Sequence, residues 1–367
     1  MNIYVNGRFL TQSVTGVQRY AIELVKQWDA LLGEDRQTEQ ESRRRFILLV
    51  PPGAVRDLPL KRIEVRQTGG RASGHLWEQL VLPWHARDGW LVNLCNTGPL
   101  CKRRQMATIH DSAVFAHPAS FSFVFRHAYR IIQRGLGRVA GVVFTVSEFS
   151  KSELVRHCRI PAGKIRVVSP GSEHMRAIRP DEAILGRLGI ARGRYVLAVG
   201  SRNPGKNFAN LEKAIGRLRR PDYDIVIAGG SNAKVFGRAT EEWPCSDRVK
   251  LAGYVTDEEL KALYEGAACF VYPSLYEGFG LPPLEAMSCG APVIVSAAAA
   301  LPEVCREAAL YCDPHRPADI ARQIERLMGN AAGRERMRRR GRRQAARFSW
   351  GLCARQTLDA VEEAIQS

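Results

Sequence analysis

With 367 residues, 45% hydrophobic and 25% charged, the chain can build two domains with cores of their own, which excludes a disordered class. The formal charge of +17, in which arginines far outnumber lysines, favours polyanions, whether nucleic acid, anionic lipid or phosphorylated small molecules, without choosing among them. Nine dispersed cysteines, with no CxxC pair and no Cys/His cluster at metal-ligand spacing, argue against a disulfide framework or a metal site and for reduced thiols in the cytoplasm.

The start, MNIYVNGRFL, has no basic-then-apolar signal segment, and no apolar run approaches membrane-span length. A cytoplasmic protein is therefore expected, one that meets a membrane only from its surface. In the first half, MNIYVNG, RFILLVP, GWLVNLCN, QMATIHD and GVVFTVS are predicted strands, with helices at about 17–32 and 121–138. RVVSPGSE (166–173) reads as the last strand of that half, and RAIRPDEAILGRLG as a crossing between domains. The segment EDRQTEQESRRR (34–45) is expected to be a charged, mobile surface loop.

The second half alternates more clearly. RYVLAVG (194–200) leads to a helix in NFANLEKAIGRL, then come the strands DIVIAGG (224–230) and RVKLAGYV, the helix DEELKALYEGA, and the strand ACFVYPSL. After a Gly/Pro loop follow the helix LEAMSCG, the strand PVIVS and the helix DIARQIERLMG. Short apolar runs bounded by glycine predict parallel strands covered on both faces, so the expected fold class is α/β, with two doubly wound domains. The expected division is 1–178 and 179–345, followed by a final helix within 346–367.

The Gly/Pro loop is SLYEGFGLPPLE (274–285), in which Glu277 and Glu285 bracket Gly278, Gly280, Pro282 and Pro283. The glycines and prolines break any continuous helix, so spacing alone does not fix the two carboxylates as an acid–base pair. Glu285 falls in the first turn of a helix, and bare glycine backbone next to a helix start suits an anion such as phosphate. A plain turn whose helix-start Glu complements the dipole accounts for the same residues. Upstream, GSRNPGKNF puts Arg202 and Lys206 just past a strand end, where two cations can neutralise a diphosphate. A solvated turn is the alternative for that pair. Asp222-Tyr223-Asp224 has DxD spacing but opens a strand, and Gly229-Gly230 is not followed by GxGxxG.

Arg202 and Lys206, followed by Glu277-Gly-Phe-Gly-Leu-Pro-Pro-Leu-Glu285, resemble the donor half of the retaining glycosyltransferases of family 4, which have the GT-B fold of two Rossmann-like domains facing a central cleft. VNGRFLTQSVTGVQRYA is similar to bacterial enzymes of surface-polysaccharide assembly, often with mannosyl or rhamnosyl donors. The resemblance implies that the final helix, 346–367, packs back on the first domain, that Arg202 and Lys206 hold the donor diphosphate, and that Glu285 holds the ribose hydroxyls. Glu277, with the backbone of Gly278, Phe279, Gly280 and Leu281, would hold the sugar. Ser201 would join the phosphate loop, and backbone at Tyr254 and Val255 would border the base. His110 would face the reacting carbon and Gly16 the phosphates, although Gly16 stands between Thr15 and Val17 where family members commonly have two adjacent glycines. GDP-mannose is the first expected donor, with rhamnosyl or other GDP-, dTDP- or UDP-linked hexosyl transfer as alternatives. No cofactor and no metal are expected; the partners implied are a nucleotide-sugar donor, a lipid-linked or saccharide acceptor, and no specific nucleic acid. A GT-B sugar-nucleotide epimerase or hydrolase, or a basic nucleic-acid-binding protein, stand as rivals.

Two basic stretches bear on a membrane partner. In 121–138, Arg126, Arg130, Arg134 and Arg138 form one stripe and Phe121, Phe125, Ile132 and Leu136 lie opposite. A solvated basic face explains this pattern, and so does a face resting on an anionic membrane surface. RERMRRRGRR (334–343) offers the same choice, with nonspecific nucleic-acid binding added.

Overall fold

Strand-length apolar runs cannot cover their own two faces, and here they assemble into two parallel sheets. A computed structural model of the protein describes residues 1–34, 44–53, 56–70, 72–201, 203–219, 222–230 and 248–366. Its contacts divide into one unit of Met1–Ser112, His127–Pro170 and Trp350–Ser367 and another of Ala113–Arg126 and Gly171–Ser349. Most of the charged loop expected at 34–45 lies outside the described residues.

In the first unit the strands are β1 (Asn2–Asn6), β2 (Arg45–Val50), β3 (Glu64–Gln67), β4 (Trp90–Asn93), β5 (Gln105–Thr108), β6 (Val142–Thr145) and β7 (Ile165–Val167). They lie in the order β3-β2-β1-β4-β5-β6-β7, all parallel. The central strands are buried on both faces, as crossover helices require. β3, with sequence EVRQ, is exposed at every position; as a charged edge strand it has no apolar run to announce it. The helices used below are α1 (Gly16–Glu34), α2 (the helical run 74–85) and α3 (Phe123–Val139), which belongs to this unit from His127 onward. The helix Trp350–Gln366 lies along α1, with Trp28 Nε1 donating to Ala354 O at 3.2 Å and the Tyr20 and Trp350 rings 5.9 Å apart.

α3 does not separate as its sequence period predicts. Its buried positions are Gln133, Leu136 and Gly137, while Phe123, Val124 and Ile131 are exposed. Glycine sets this rotation: a Cβ on Gly137 would meet Ile160 at 2.5 Å, and one on Gly135 would meet Leu100 at 2.7 Å. Arg126 and Arg130 are half-buried, and Arg134 donates to His157 O at 3.3 Å, so the four arginines are not one open stripe.

In the second unit the strands are β8 (Tyr195–Val199), β9 (Asp224–Ala228), β10 (Val249–Gly253), β11 (Cys269–Tyr272), β12 (Val293–Ser296) and β13 (Ala309–Cys312). Their order is β10-β9-β8-β11-β12-β13, again all parallel. The helices used below are α4 (Phe208–Ile215), α5 (Asp257–Gly266), α6 (Leu281–Ser288), α7 (Pro317–Met328) and α8 (Ala331–Ala345); the helix Trp350–Gln366 of the first unit is α9. Val196, Ile225, Val271 and Ile294 meet Leu211, Ile320 and Ile324 in one core. β13, the strand ALYC, has no counterpart among the predicted elements, because four residues with one aromatic are too short to read as a strand.

The basic run 334–343 sits on α8, and much of its charge is absorbed by the fold. Arg338 donates to Gly290 O at 2.9 Å and Ala267 O at 3.3 Å, carbonyls beyond the C-terminal ends of α6 and α5. Arg334 reaches Leu327 O at 2.9 Å, and also Met328 O, at the end of α7. Helix C-termini present unpaired carbonyls and partial negative charge, which is what a guanidinium satisfies.

Candidate functional site

In an open parallel sheet, ligands collect outside the C-terminal ends of the strands where the strand order reverses. In the second unit that point lies between β8 and β11, and the two segments singled out in the sequence leave those two strands.

After β8 the chain runs through Gly200 and the half-buried Ser201; Arg202 lies outside the described residues. Asn203 then accepts a hydrogen bond from Gly205 N–H at 2.8 Å, Pro204 starts a 3-10 turn, and Asn207 closes it with φ +62°. Asn207 tolerates that conformation because its side-chain amide donates to Pro273 O at 2.9 Å and Pro314 O at 2.7 Å. The loop after β11 is stitched to this turn: Leu275 N–H and the Ser274 hydroxyl both donate to Gly205 O, at 2.8 and 2.9 Å.

That stitching puts Lys206 Nζ 2.7 Å from Glu277 Oε1 and 2.7 Å from the Tyr272 hydroxyl, with the ammonium 5.2 Å from the Tyr272 ring centroid. The single Ser274 hydroxyl proton is shared between Gly205 O and the same Glu277 oxygen, 2.5 Å away. The lysine and glutamate side chains are 25% and 12% exposed, so their attraction is only partly screened and both remain reachable from solvent. Burial, and then the Glu277 charge, raise the Tyr272 phenol well above its ordinary pKa and keep it a neutral hydroxyl.

Beyond Glu277 the turn buries Gly278, Phe279 and Gly280. Gly280 has φ +100°, and a Cβ there would lie 2.5 Å from Leu301, so glycine is required on both counts. It leads into α6, with Leu281 and Pro282 opening the helix and Glu285 one turn in. Glu285 is 7% exposed and held by two donors from different elements: His174 Nε2 lies 3.2 Å from Oε1, and the Tyr264 hydroxyl donates to Oε2 at 3.3 Å. Burial and the Glu285 charge keep Tyr264 protonated. Tyr254 is 72% exposed and Val255 half-buried just past β10, where Thr256 and Glu259 form the capping box of α5.

The structure therefore brings Lys206 and Glu277 into direct contact and puts Glu285 on the helix that their turn begins. At the neighbouring strand end, a Cβ on Gly229 would come within 2.0 Å of Gly200 O, so the backbones of the β8 and β9 exits touch. Asp222 pairs with Arg194 at 3.0 Å and Asp224 opens β9, away from a shared acidic cluster.

His110 and Gly16 belong to the first unit. His110 follows β5, is 7% exposed, and lies edge-on to Tyr20 with centroids 4.7 Å apart. Its Nε2 is 3.0 Å from Leu94 O; a carbonyl only accepts, so Nε2 carries the proton and Nδ1 is the acceptor nitrogen. Burial lowers its pKa to about 4, which leaves the imidazole neutral near pH 7. Gly16 opens α1, and a Cβ there would meet nothing within 4 Å. Packing inside the protein does not demand glycine at this position.

Sequence reasoning missed Tyr272, Ser274, His174 and Tyr264. Tyr272 is hidden in the apolar run of β11, and His174 and Tyr264 lie 111 and 21 residues from the carboxylate they hold. The flanking asparagines of NPGKN were a readable signal for the turn.

A lysine, two hydroxyls and two donor-held carboxylates stand at one sheet edge, a set of donors and acceptors that can meet hydroxyl and phosphate groups. Residues 182–344 match the family of "Glycosyl transferases group 1". The O-antigen chain mannosyltransferase B of Escherichia coli is 31% identical over 375 residues, covering 95% of this chain and 96% of its own. Among solved structures, the sucrose-phosphate synthase of Thermosynechococcus elongatus superposes with a TM-score of 0.75 at 19% identity, over 100% of this chain and 99% of its own. WaaG, a glycosyltransferase involved in lipopolysaccharide biosynthesis, gives 0.70 at 14% identity over 98% and 99%. These neighbours share the GT-B arrangement of two Rossmann-like domains.

Proposed function

Because this chain belongs to the group 1 glycosyl transferases, we propose that it is a retaining, metal-independent mannosyltransferase of bacterial surface-polysaccharide synthesis, with GDP-mannose as donor and a lipid-linked or saccharide acceptor. The observation that supports this reading best is the Lys206–Glu277 pair at the switch point, one cation and one carboxylate joined at 2.7 Å on the exits of β8 and β11. A donor diphosphate supplies the anion that Lys206 can take in exchange for Glu277, and the released carboxylate then accepts hydroxyl groups of the sugar. Arg202, from the same loop, adds a second cation to the diphosphate. Glu285 takes the ribose hydroxyls, the backbone of Ser201 and of Gly278 to Leu281 lines the phosphate and sugar, and Tyr254 and Val255 border the base.

As the bond from the sugar to the leaving phosphate lengthens, negative charge grows on the diphosphate and positive charge on the sugar. Fixed cations at the diphosphate stabilise that state more than the ground state, which is the condition for catalysis. The acceptor hydroxyl attacks from the face the diphosphate leaves, and a phosphate oxygen takes its proton, so the anomeric configuration is kept. Glu277 positions the sugar; on the family resemblance, His110, a neutral imidazole, would serve the reacting carbon and Gly16 the phosphates.

Product analysis with GDP-mannose and a saccharide acceptor tests the reading. Transfer with retained configuration and undiminished by chelator supports it. Inversion removes the mechanism, and product formed equally from donor alone assigns an epimerase or hydrolase instead. Thermal shifts with GDP, UDP, dTDP and ADP identify the base: stabilisation by a nucleotide other than GDP removes the donor assignment.

A further inference from the structure

The basic stripe of α3 and the arginines of α8 are partly spent on backbone carbonyls, yet another surface of the first unit is built for contact. On α2, Leu76, Leu80 and Trp84 are 60, 65 and 66% exposed. They recur every four residues, which aligns them along one side of the helix. The opposite side is firmly fixed. Trp77 and Leu82 are fully buried, Trp77 Nε1 donates to Thr68 O at 2.8 Å, and Glu78 pairs with Arg8 at 3.1 Å. The apolar row is therefore held outward by a packed helix, and burying it would remove three large side chains from water.

Its surroundings are basic. The Arg87 guanidinium lies 4.5 Å from the Trp84 ring centroid. The loop 101–104 is tied to the end of α2 by Lys102, whose ammonium donates to Ala86 O at 2.7 Å and Gly89 O at 2.9 Å; Arg103 and Arg104 on that loop are exposed. Asp88 is also on this rim, but its carboxylate accepts from the Tyr4 hydroxyl at 2.8 Å and from Asn2 at 3.0 Å.

We propose that this face of α2 docks the protein on an anionic lipid bilayer, with Leu76, Leu80 and Trp84 entering the headgroup–acyl boundary and Arg87, Arg103 and Arg104 meeting the headgroups. An aliphatic and indole row flanked by arginines is the composition of an interfacial helix. No helix among the described residues is long and apolar enough to cross a membrane, so attachment here is from the surface. A second copy of the chain fits this face less well, because pairing it with itself would set two arginine rims against each other. The proposal deepens the reading of a lipid-linked acceptor and rests on that part of it alone.

Flotation of the full chain with phosphatidylglycerol/phosphatidylcholine vesicles, with pure phosphatidylcholine as comparison, tests it. Wild type is expected to float with the anionic vesicles, and L76S/L80S/W84S to lose at least about tenfold in partition. Leu352→Ser, at a 51% exposed site on α9, is expected to float like wild type. Thermal shift with GDP, UDP, dTDP and ADP reports separately on the donor site, so loss of flotation with nucleotide binding intact concerns the lipid surface only. The proposal is overturned if wild type stays with the unbound fraction. It is equally overturned if the triple variant floats as well as wild type, which would return the contact to the arginines of α3. Light scattering that shows a wild-type dimer dissolved by the triple substitution would make a second copy the occupant instead.

Discussion

Lys206 and Glu277 satisfy each other, so each substitution has two effects. Removing the lysine leaves the Glu277 carboxylate, 12% exposed, without its cation and beside the hydroxyls of Ser274 and Tyr272, and in the proposed mechanism also deletes a charge at the leaving diphosphate. Lys206→Ala and Glu277→Ala are each expected to lower transfer by on the order of a hundredfold or more. In urea unfolding, a double-mutant cycle between them should show coupling of about 1–3 kcal/mol, and simple additivity would mean the contact carries no energy in solution. His174 differs, because it touches the carboxylate of Glu285, the group proposed to take the ribose hydroxyls. His174→Ala is expected to raise KM for the donor about tenfold with kcat nearly unchanged, the mark of lost ground-state binding. The same variant should discriminate less than wild type between a ribonucleoside diphosphate and its dideoxy counterpart in a competition assay. Unchanged discrimination would make His174 a packing residue only.

Elements differ in how openly the chain announces them. β1, β2, β8, β9, β11 and β12 are apolar runs that could be read directly, and the glutamates and glycines of 277–285 were legible because their spacing interrupts such a run. α2 was not legible, since Pro83 ordinarily ends a helix. Here a wide turn at Trp77–Val81 lets Leu82 N–H bond back to Trp77 O, and Pro83 then falls in the first turn of the next helical segment, where no N–H is missed. The contacts made by Lys206 were hidden for another reason, because two loops separated by about 70 residues must be joined before the pair exists. The arginines of α8 read as surface charge, whereas Arg338 closes the ends of two helices. Arg338→Ala is expected to cost about 1–3 kcal/mol in chemical denaturation, against less than about 0.5 kcal/mol for the exposed Arg340→Ala.

For the molecule as a whole, acid is a stress with an identifiable contributor. His110 has a native pKa near 4 because burial disfavours its charged form. Between that value and about 6.5 the unfolded chain binds a proton that the native chain refuses, so stability rises with pH across the window and is lost as pH falls through it. His110 alone accounts for at most about 3–4 kcal/mol of this. Urea midpoints at pH 7 and pH 4.5 should therefore diverge less for His110→Asn than for wild type; an equal drop would place the sensitivity elsewhere. The doubled α/β architecture was legible from strand spacing alone, because a parallel sheet needs no partner outside its own half to specify it. The final helix follows the second sheet in the chain, and no pattern in its residues says which sheet it serves; its expected return to the first domain rests on the family resemblance, and α9 lies against α1 there. That placement has a consequence for biosynthesis. A ribosome makes residues 1–349 before the segment that covers Trp28 and Tyr20 exists, so the earlier-made unit must wait, incomplete, while the later one can close as soon as it emerges. A nascent chain arrested before Trp350 should thus present protease-sensitive sites around α1 that release of the full polypeptide erases.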